Sequence, residues 1–266
     1  WFGQAWAAEA ANQAAPARFS AEVGMGGEYD SNVTVEEVDL ASGRGDYALI
    51  LDAGVEANKA LSQKVGISGT YDVSQTLYDE FSSVDRQTHI LGTDMTVDFE
   101  VVEPAIAFFY IHSLLDNDKF LDLYRVAPSI SGFLARKWFA RSAYVYYNKS
   151  INNQPERDAS SNAGEADLYY FFRGLRSYFN LGYRYRLEDA NGDQYDYASN
   201  GVKLRYIQRV ELFSRIAKLE LSWRYEDRDY SSPTPSIGED RDDQRQFWRA
   251  DFEIPVIGSS ALQVYS

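Results

Sequence analysis

The sequence predicts an all-β fold: a single antiparallel up-and-down transmembrane β-barrel of about 14 strands, about 13 of them within this chain. Three observations predict it. Residues 176–228 alternate two chemistries with a period of two, with Phe179, Leu181, Tyr183, Tyr185 and Leu187 on one face and Asn180, Gly182, Arg184, Arg186 and Glu188 on the other. The alternation returns in residues 217–226 and recurs along nearly the whole chain. A strand rotates its side chains by half a turn per residue, so each segment is a strip with one greasy and one charged face. Second, mean hydropathy is −0.42, and no apolar run approaches the ~20 residues of a membrane helix. A chain this polar spans a bilayer only as a closed barrel, whose strands give lipid alternate residues. Third, aromatic residues make up 15% of the chain and gather near segment ends, as in the interfacial girdles of such barrels.

Taken in order, residues 1–16 are a signal remnant or periplasmic N-terminal tail, because Ala5-Trp6-Ala7 before Ala8-Glu9 resembles a small-x-small cleavage site. Residues 17–266 are the barrel. Strand 17–29 turns Glu22 and Glu28 away from its apolar face, strand 46–58 does so with Asp52 and Glu56, and strand 63–76 with Asp72. Strand 87–100 adds Asp94, Asp98 and Glu100. Strands 104–115, 119–133 and 136–149 follow, the last bearing Trp138, Tyr144 and Tyr146. Strand 164–174 leads into 176–188, with Arg184 and Arg186, and 195–207, with Lys203 and Arg205. Strand 212–227 sets Lys218, Glu220, Arg224 and Glu226 against Ala217, Leu219, Leu221, Trp223 and Tyr225. Strand 243–255 carries Arg249, Asp251 and Glu253, and 259–266 stops mid-strand, which predicts one further strand. Long connections (30–45, 77–86, 150–163, 189–194, 228–242) alternate with tight turns near 58–62, 101–103, 134–135, 175, 208–211 and 255–258; 116–118 is a short exception. Short turns mark the periplasmic side of an outer-membrane barrel and long loops the outside.

The polar face divides along the chain. Residues 1–100 hold 5 basic and 17 acidic side chains, whereas residues 101–266 are nearly balanced. The pore-lining candidates are therefore Glu22, Glu28, Asp52, Glu56, Asp72, Asp94, Asp98 and Glu100 on an acidic wall, with Arg184, Arg186, Lys203, Arg205, Lys218, Arg224 and Arg249 on a basic one. Opposed walls would set a field across a narrow channel and orient dipolar solutes; the same side chains could instead pair and fill the lumen. Trp138, Tyr144, Tyr183, Tyr185, Trp223, Tyr225 and Trp248 are the aromatic-girdle candidates, with Tyr146 and Phe252 beside them.

Several classes are disfavoured. The net charge of −14 argues against nucleic acid, and the absence of cysteine removes disulfides and thiolate chemistry. The two histidines do not make a catalytic pair: His112 and Ser113 are adjacent and point to opposite faces of a strand. Asp189, Asn191 and Asp193 have the spacing of a calcium loop, but Gly192 comes early and no bidentate Glu follows, so a tight turn explains them better. No catalytic residue, metal or cofactor is expected, and the chain is read as a non-enzyme.

Glu28-Tyr29-Asp30-Ser31-Asn32-Val33, Tyr225-Glu226-Asp227-Arg228-Asp229-Tyr230-Ser231-Ser232-Pro233 and Arg245-Gln246-Phe247-Trp248 resemble the barrel domain of surface-lipoprotein assembly modifiers and related tetratricopeptide-linked outer-membrane barrels. The resemblance implies a 14-stranded barrel, a periplasmic helical-repeat domain ahead of it and, in some members, export of surface lipoproteins. Three functions stay open: a charged, water-filled pore for small solutes or an exported polymer, a plugged barrel that anchors a partner or presents loops, and a lipoprotein exporter. The expected surroundings are the bacterial outer membrane, with its lipid and lipopolysaccharide, and a periplasmic or surface protein partner.

Overall fold

A computed structural model describes residues 16–172, 176–212, 215–235, 238–257 and 260–265. The expectation for the N-terminal tail falls, but for Pro16, outside the described residues. Fifteen strands follow in order: β1 (Arg18–Asp30), β2 (Thr34–Val35), β3 (Leu40–Ala41), β4 (Asp46–Ala60), β5 (Val65–Tyr78), β6 (Arg86–Val97), β7 (Val102–Leu115), β8 (Asp118–Ala135), β9 (Trp138–Ile151), β10 (Ala159–Phe171), β11 (Ser177–Ala190), β12 (Tyr197–Leu212), β13 (Arg215–Pro233), β14 (Asp240–Ile257) and β15 (Ser260–Tyr265). All but β2 and β3 join one antiparallel sheet in chain order. Thirteen strands were legible in the alternation, and thirteen form the sheet.

Most differences lie at strand ends. β13 runs to Pro233 and β14 begins at Asp240, several residues further toward their shared loop than the alternation suggested. Charged Asp227–Asp229 break the apolar pattern there, yet backbone pairing continues through Asp229↔Asp242, and Arg228 is held by Glu226. Residues 30–45 are not plain loop: β2 and β3 pair across a 3₁₀ turn, Glu36–Val38. Asp116 and Asn117 form the two-residue link between β7 and β8 with φ of +50° and +63°, the left-handed pair that a tight hairpin requires and that Asp and Asn tolerate.

The polarity of the sheet is reversed from that of a water-soluble protein. Large apolar side chains lie open on one face, among them Val23 (88% exposed), Met25, Leu181, Leu204, Leu221 and Trp248 (74%). The alternate positions are polar and more enclosed: Asn180 is 1% exposed and Ser199 2%, and Glu188 is buried too. Burying polar groups while exposing apolar ones is costly in water and favourable in lipid. Among the described residues no helix is long and apolar enough to cross a membrane; strands carry the apolar surface instead.

Two compact units make up the chain: one of the residues up to Phe99 with Ala105–Val126 and Asn148–Pro155, the other of Glu100–Pro104, Ala127–Tyr147 and the residues from Glu156 on. Each has its own apolar cluster. In the first, Val35 of the loop hairpin is buried against Phe120, Leu121 and Ile151, and Arg86 grips Glu37 with two hydrogen bonds of 3.1 and 2.8 Å. In the second, Tyr169, Tyr178 and Ile207 are buried with Phe139 and Phe171 against them, an aromatic patch on the otherwise polar face.

Candidate functional site

The polar face of the second unit is a charge array set by strand register. One row runs Asp167, Gly182, Lys203, Arg224, Phe247 across β10 to β14; the next runs Glu165, Arg184, Gly201, Glu226, Arg245. Lys203 Nζ reaches over Gly182 to Asp167 at 2.9 Å. A Cβ at 182 would lie 2.8 Å from the Asp167 carboxylate and 2.9 Å from Lys203 Cε, so glycine leaves the space for this bridge. Asn180 Nδ2 donates to the same carboxylate at 3.1 Å, and Arg141 Nη1 stands 3.8 Å away.

Other cations of this face are likewise beside carboxylates. Arg184 and Arg141 both approach Glu165 at 3.7 Å, and Arg205 and Lys218 converge on Glu220. Arg228 meets Glu226 at 2.9 Å, and Arg249 lies against Asp251 at 2.8 Å. Arg186 donates to the Tyr197 hydroxyl at 2.9 Å, while Tyr197 and Ser161 donate to Glu188 at 3.0 and 2.8 Å. Arg224 stands over the Phe247 ring, 5.2 Å from its centre. The expected basic wall is therefore a charge-balanced mosaic. Two of the carboxylates responsible, Glu165 and Asp167, lie on β10 and meet their cations only through strand register.

The first unit differs. Glu22, Gly54 and Asp72 share one row of β1, β4 and β5, and Asp52 and Glu56 flank Gly54 on β4. A Cβ at 54 would meet the Asp72 carboxylate at 2.7 Å and Glu22 Cγ at 3.4 Å. No ion pair holds Glu22, Asp52, Glu56 or Asp72 among the described residues; Glu56 accepts from Asn58 Nδ2 at 2.7 Å. Asp94 shares their face on β6, and Glu28 lies on β1 opposite Ala48. Asp98 and Glu100 depart from the expectation. β6 ends at Val97, and both lie in the following turn, where Asp98 N–H donates to the Lys64 carbonyl at 2.8 Å and Glu100 adopts a φ of +71°. The turn needs a left-handed residue there, and an extended strand cannot supply one.

All seven girdle candidates occupy the exposed apolar face, but not all sit at strand ends. Trp138 opens β9, whereas Tyr144, Trp223 and Trp248 fall mid-strand, because β9, β13 and β14 extend further toward the loops than expected. Trp223 stacks near Trp248 (5.9 Å) and Tyr225 (6.3 Å). Around Asp189, Asn191 and Asp193, the Asn191 and Gly192 N–H groups donate to the Asp158 and Glu156 carbonyls at 2.9 and 2.8 Å, and among the described residues no group of three His, Cys, Asp or Glu could hold a metal.

Asp46, at the loop end of β4, anchors residues 79–81. It accepts from the Glu80, Phe81 and Tyr47 N–H groups at 2.8, 3.0 and 2.8 Å. Burial alone would raise its carboxyl; these backbone donors, with Arg44 nearby, hold it below the ordinary carboxylate range. A depressed carboxyl stabilises the folded loop above its unfolded pKa and loses that contribution as pH falls through the folded one. Amide exchange at Glu80 and Phe81 should therefore accelerate on acidification through that range, and Asp46→Asn should show the fast exchange already at neutral pH.

The family model for surface lipoprotein assembly modifiers matches residues 9–253. The chain belongs to this family. A solved structure, CdiB from Acinetobacter baumannii, superposes with a TM-score of 0.50 at 8% identity over 93% of this chain and 54% of that one. At that identity the likeness shows the fold alone, that of an outer-membrane β-barrel, and the chain spans about half the length of CdiB. A search of curated proteins finds no sequence match. The reversed polarity is that of a β-barrel in the surface lipoprotein assembly modifier family.

Proposed function

We propose that this chain acts in the bacterial outer membrane to bring lipoproteins to the cell surface, guiding polypeptide along its polar face. The observation that carries the reading is the reversed sheet polarity in a chain of the surface lipoprotein assembly modifier family. An apolar open face supports a position in the membrane that the cargo must cross. Charges on the polar face suit a polypeptide, which brings both signs and many hydrogen-bonding groups. The reading is non-enzymatic: His112 and Ser113 point to opposite faces, His112 toward Asp122 and Ser113 toward Thr88. Deleting the gene should remove lipoproteins from protease-accessible positions on intact cells while leaving their total amount unchanged; undiminished display rejects the proposal.

A passive pore for small solutes is the second reading, favoured by Glu22, Asp52, Glu56 and Asp72, which no ion pair holds among the described residues. Planar-bilayer recordings separate the two. A solute pore gives steady, cation-preferring conductance that weakens in a Glu22→Gln, Asp72→Asn variant, whereas an exporter at rest gives none above background.

A further inference from the structure

The open face of the first unit, largely apolar, carries a polar array near its loop end. It holds both histidines of the chain. His89 and His112 are opposite one another on β6 and β7, with ring centres 6.3 Å apart. They share their face with exposed Leu91, Met95 and Ile106, as strand alternation requires. Nor is the array a loose scatter of polar side chains. Asp122 organises it: one oxygen accepts from His112 Nδ1 and Tyr110 OH, both at 2.7 Å, and the other meets Lys119 Nζ at 2.6 Å. His89 Nε2 is 3.2 Å from Gln87 Oε1 and its Nδ1 is 2.8 Å from Tyr71 OH. Tyr110 and Tyr124 stack at 4.8 Å, and Tyr124 is exposed.

Its depth is informative. His89 lies three residues from the loop end of β6, and His112 three from that of β7, roughly 10 Å of strand rise. In a tilted strand that is near the edge of the roughly 25 Å apolar band. An ion pair and two imidazoles there meet the headgroups of the outer leaflet rather than acyl chains. The chemistry favours a sugar over a phosphate. A carboxylate sits at the centre of the array and already engages Lys119, which disfavours an anion. Fixed hydroxyl, imidazole and ammonium groups beside stacked tyrosine rings match a polyhydroxylated ring, which presents both hydrogen-bonding edges and an apolar face.

We propose that the array of Tyr71, His89, His112, Asp122 and Lys119 is a binding site for the sugar headgroup of an outer-leaflet glycolipid. It rests on the outer-membrane placement above but not on lipoprotein export. The test uses the full chain, purified in mild detergent and checked for folding by its heat-modifiable gel mobility. It is incubated with lipopolysaccharide of truncated core or with phosphatidylglycerol, and lipid retention is read by native mass spectrometry. The wild type should retain the glycolipid and release phosphatidylglycerol, with core oligosaccharide freed of its lipid displacing the glycolipid. Asp122→Ala should lower retention at least fivefold, and the milder Tyr71→Phe, which keeps the fold, about threefold. Equal retention by the folded variants, or equal retention of phosphatidylglycerol, overturns the proposal. Glycolipid retention in a protein whose deletion leaves surface lipoproteins unchanged would reject export and leave this site standing.

Discussion

Leu204→Arg is expected to destabilise the membrane-inserted protein by about 2–4 kcal/mol, the cost of a cation at the bilayer midplane. Leu204 is at the centre of β12, 47% exposed, and shares its row with Leu181 and Trp223 on the open face. The same change on a half-exposed leucine in water typically stays within about 0.5 kcal/mol. Leu40→Arg supplies that reference, since Leu40 is exposed in the loop hairpin of residues 34–41. Denaturant titration of folding into phospholipid vesicles measures both. A large loss at 204 with a small one at 40 is the signature of lipid contact, and equal small losses would place the open face in water.

The second large effect belongs to Asp167. Its side chain is 9% exposed and meets Lys203, Arg141 and Asn180. Asp167→Ala leaves two partly exposed cations facing each other's field, and Asn180, 1% exposed, with only the longer 3.5 Å bond to the Leu168 carbonyl. Removing one partner of a fully buried pair costs about 3–5 kcal/mol and of a surface pair about 0–1. With Lys203 39% and Arg141 29% exposed, the expected loss is about 2 kcal/mol. Arg249, itself 58% exposed beside Asp251, marks the other end: Arg249→Ala should change stability by about 1 kcal/mol or less. The same titration checks both, and an Arg249 loss as large as that of Asp167 would show that enclosure does not set the strength of these pairs.

Strand number and the face of each side chain were readable because both depend on a local property, the period of two. Leu181 and Arg184 declare their faces within a few neighbours. What the alternation does not encode is which side chains meet across strands. Arg184 reads as part of a basic wall until register brings Glu165 opposite it, and Lys203 reads as free until Gly182 proves to be the gap it crosses. Gly182 was a usable signal: a glycine on the polar face of a long strand marks a place where neighbours close over it. Strand ends were obscured for a different reason. Beyond the apolar band both faces meet water, so the pattern fades at Asp227 although pairing continues. The packing of Val35 on Phe120 and Ile151 joins residues far apart in sequence, and no local pattern foretells that.

The central claim is that cargo meets the polar face while lipid meets the apolar one. Asp72 and Val73 are adjacent on β5 and point to opposite faces. A photo-crosslinking amino acid placed at each position in turn, in cells expressing a surface lipoprotein, tests the claim most directly. Lipoprotein adducts at position 72 and none at 73 are predicted. Adducts at 73, or at neither position while the lipoprotein still reaches the surface, would contradict it.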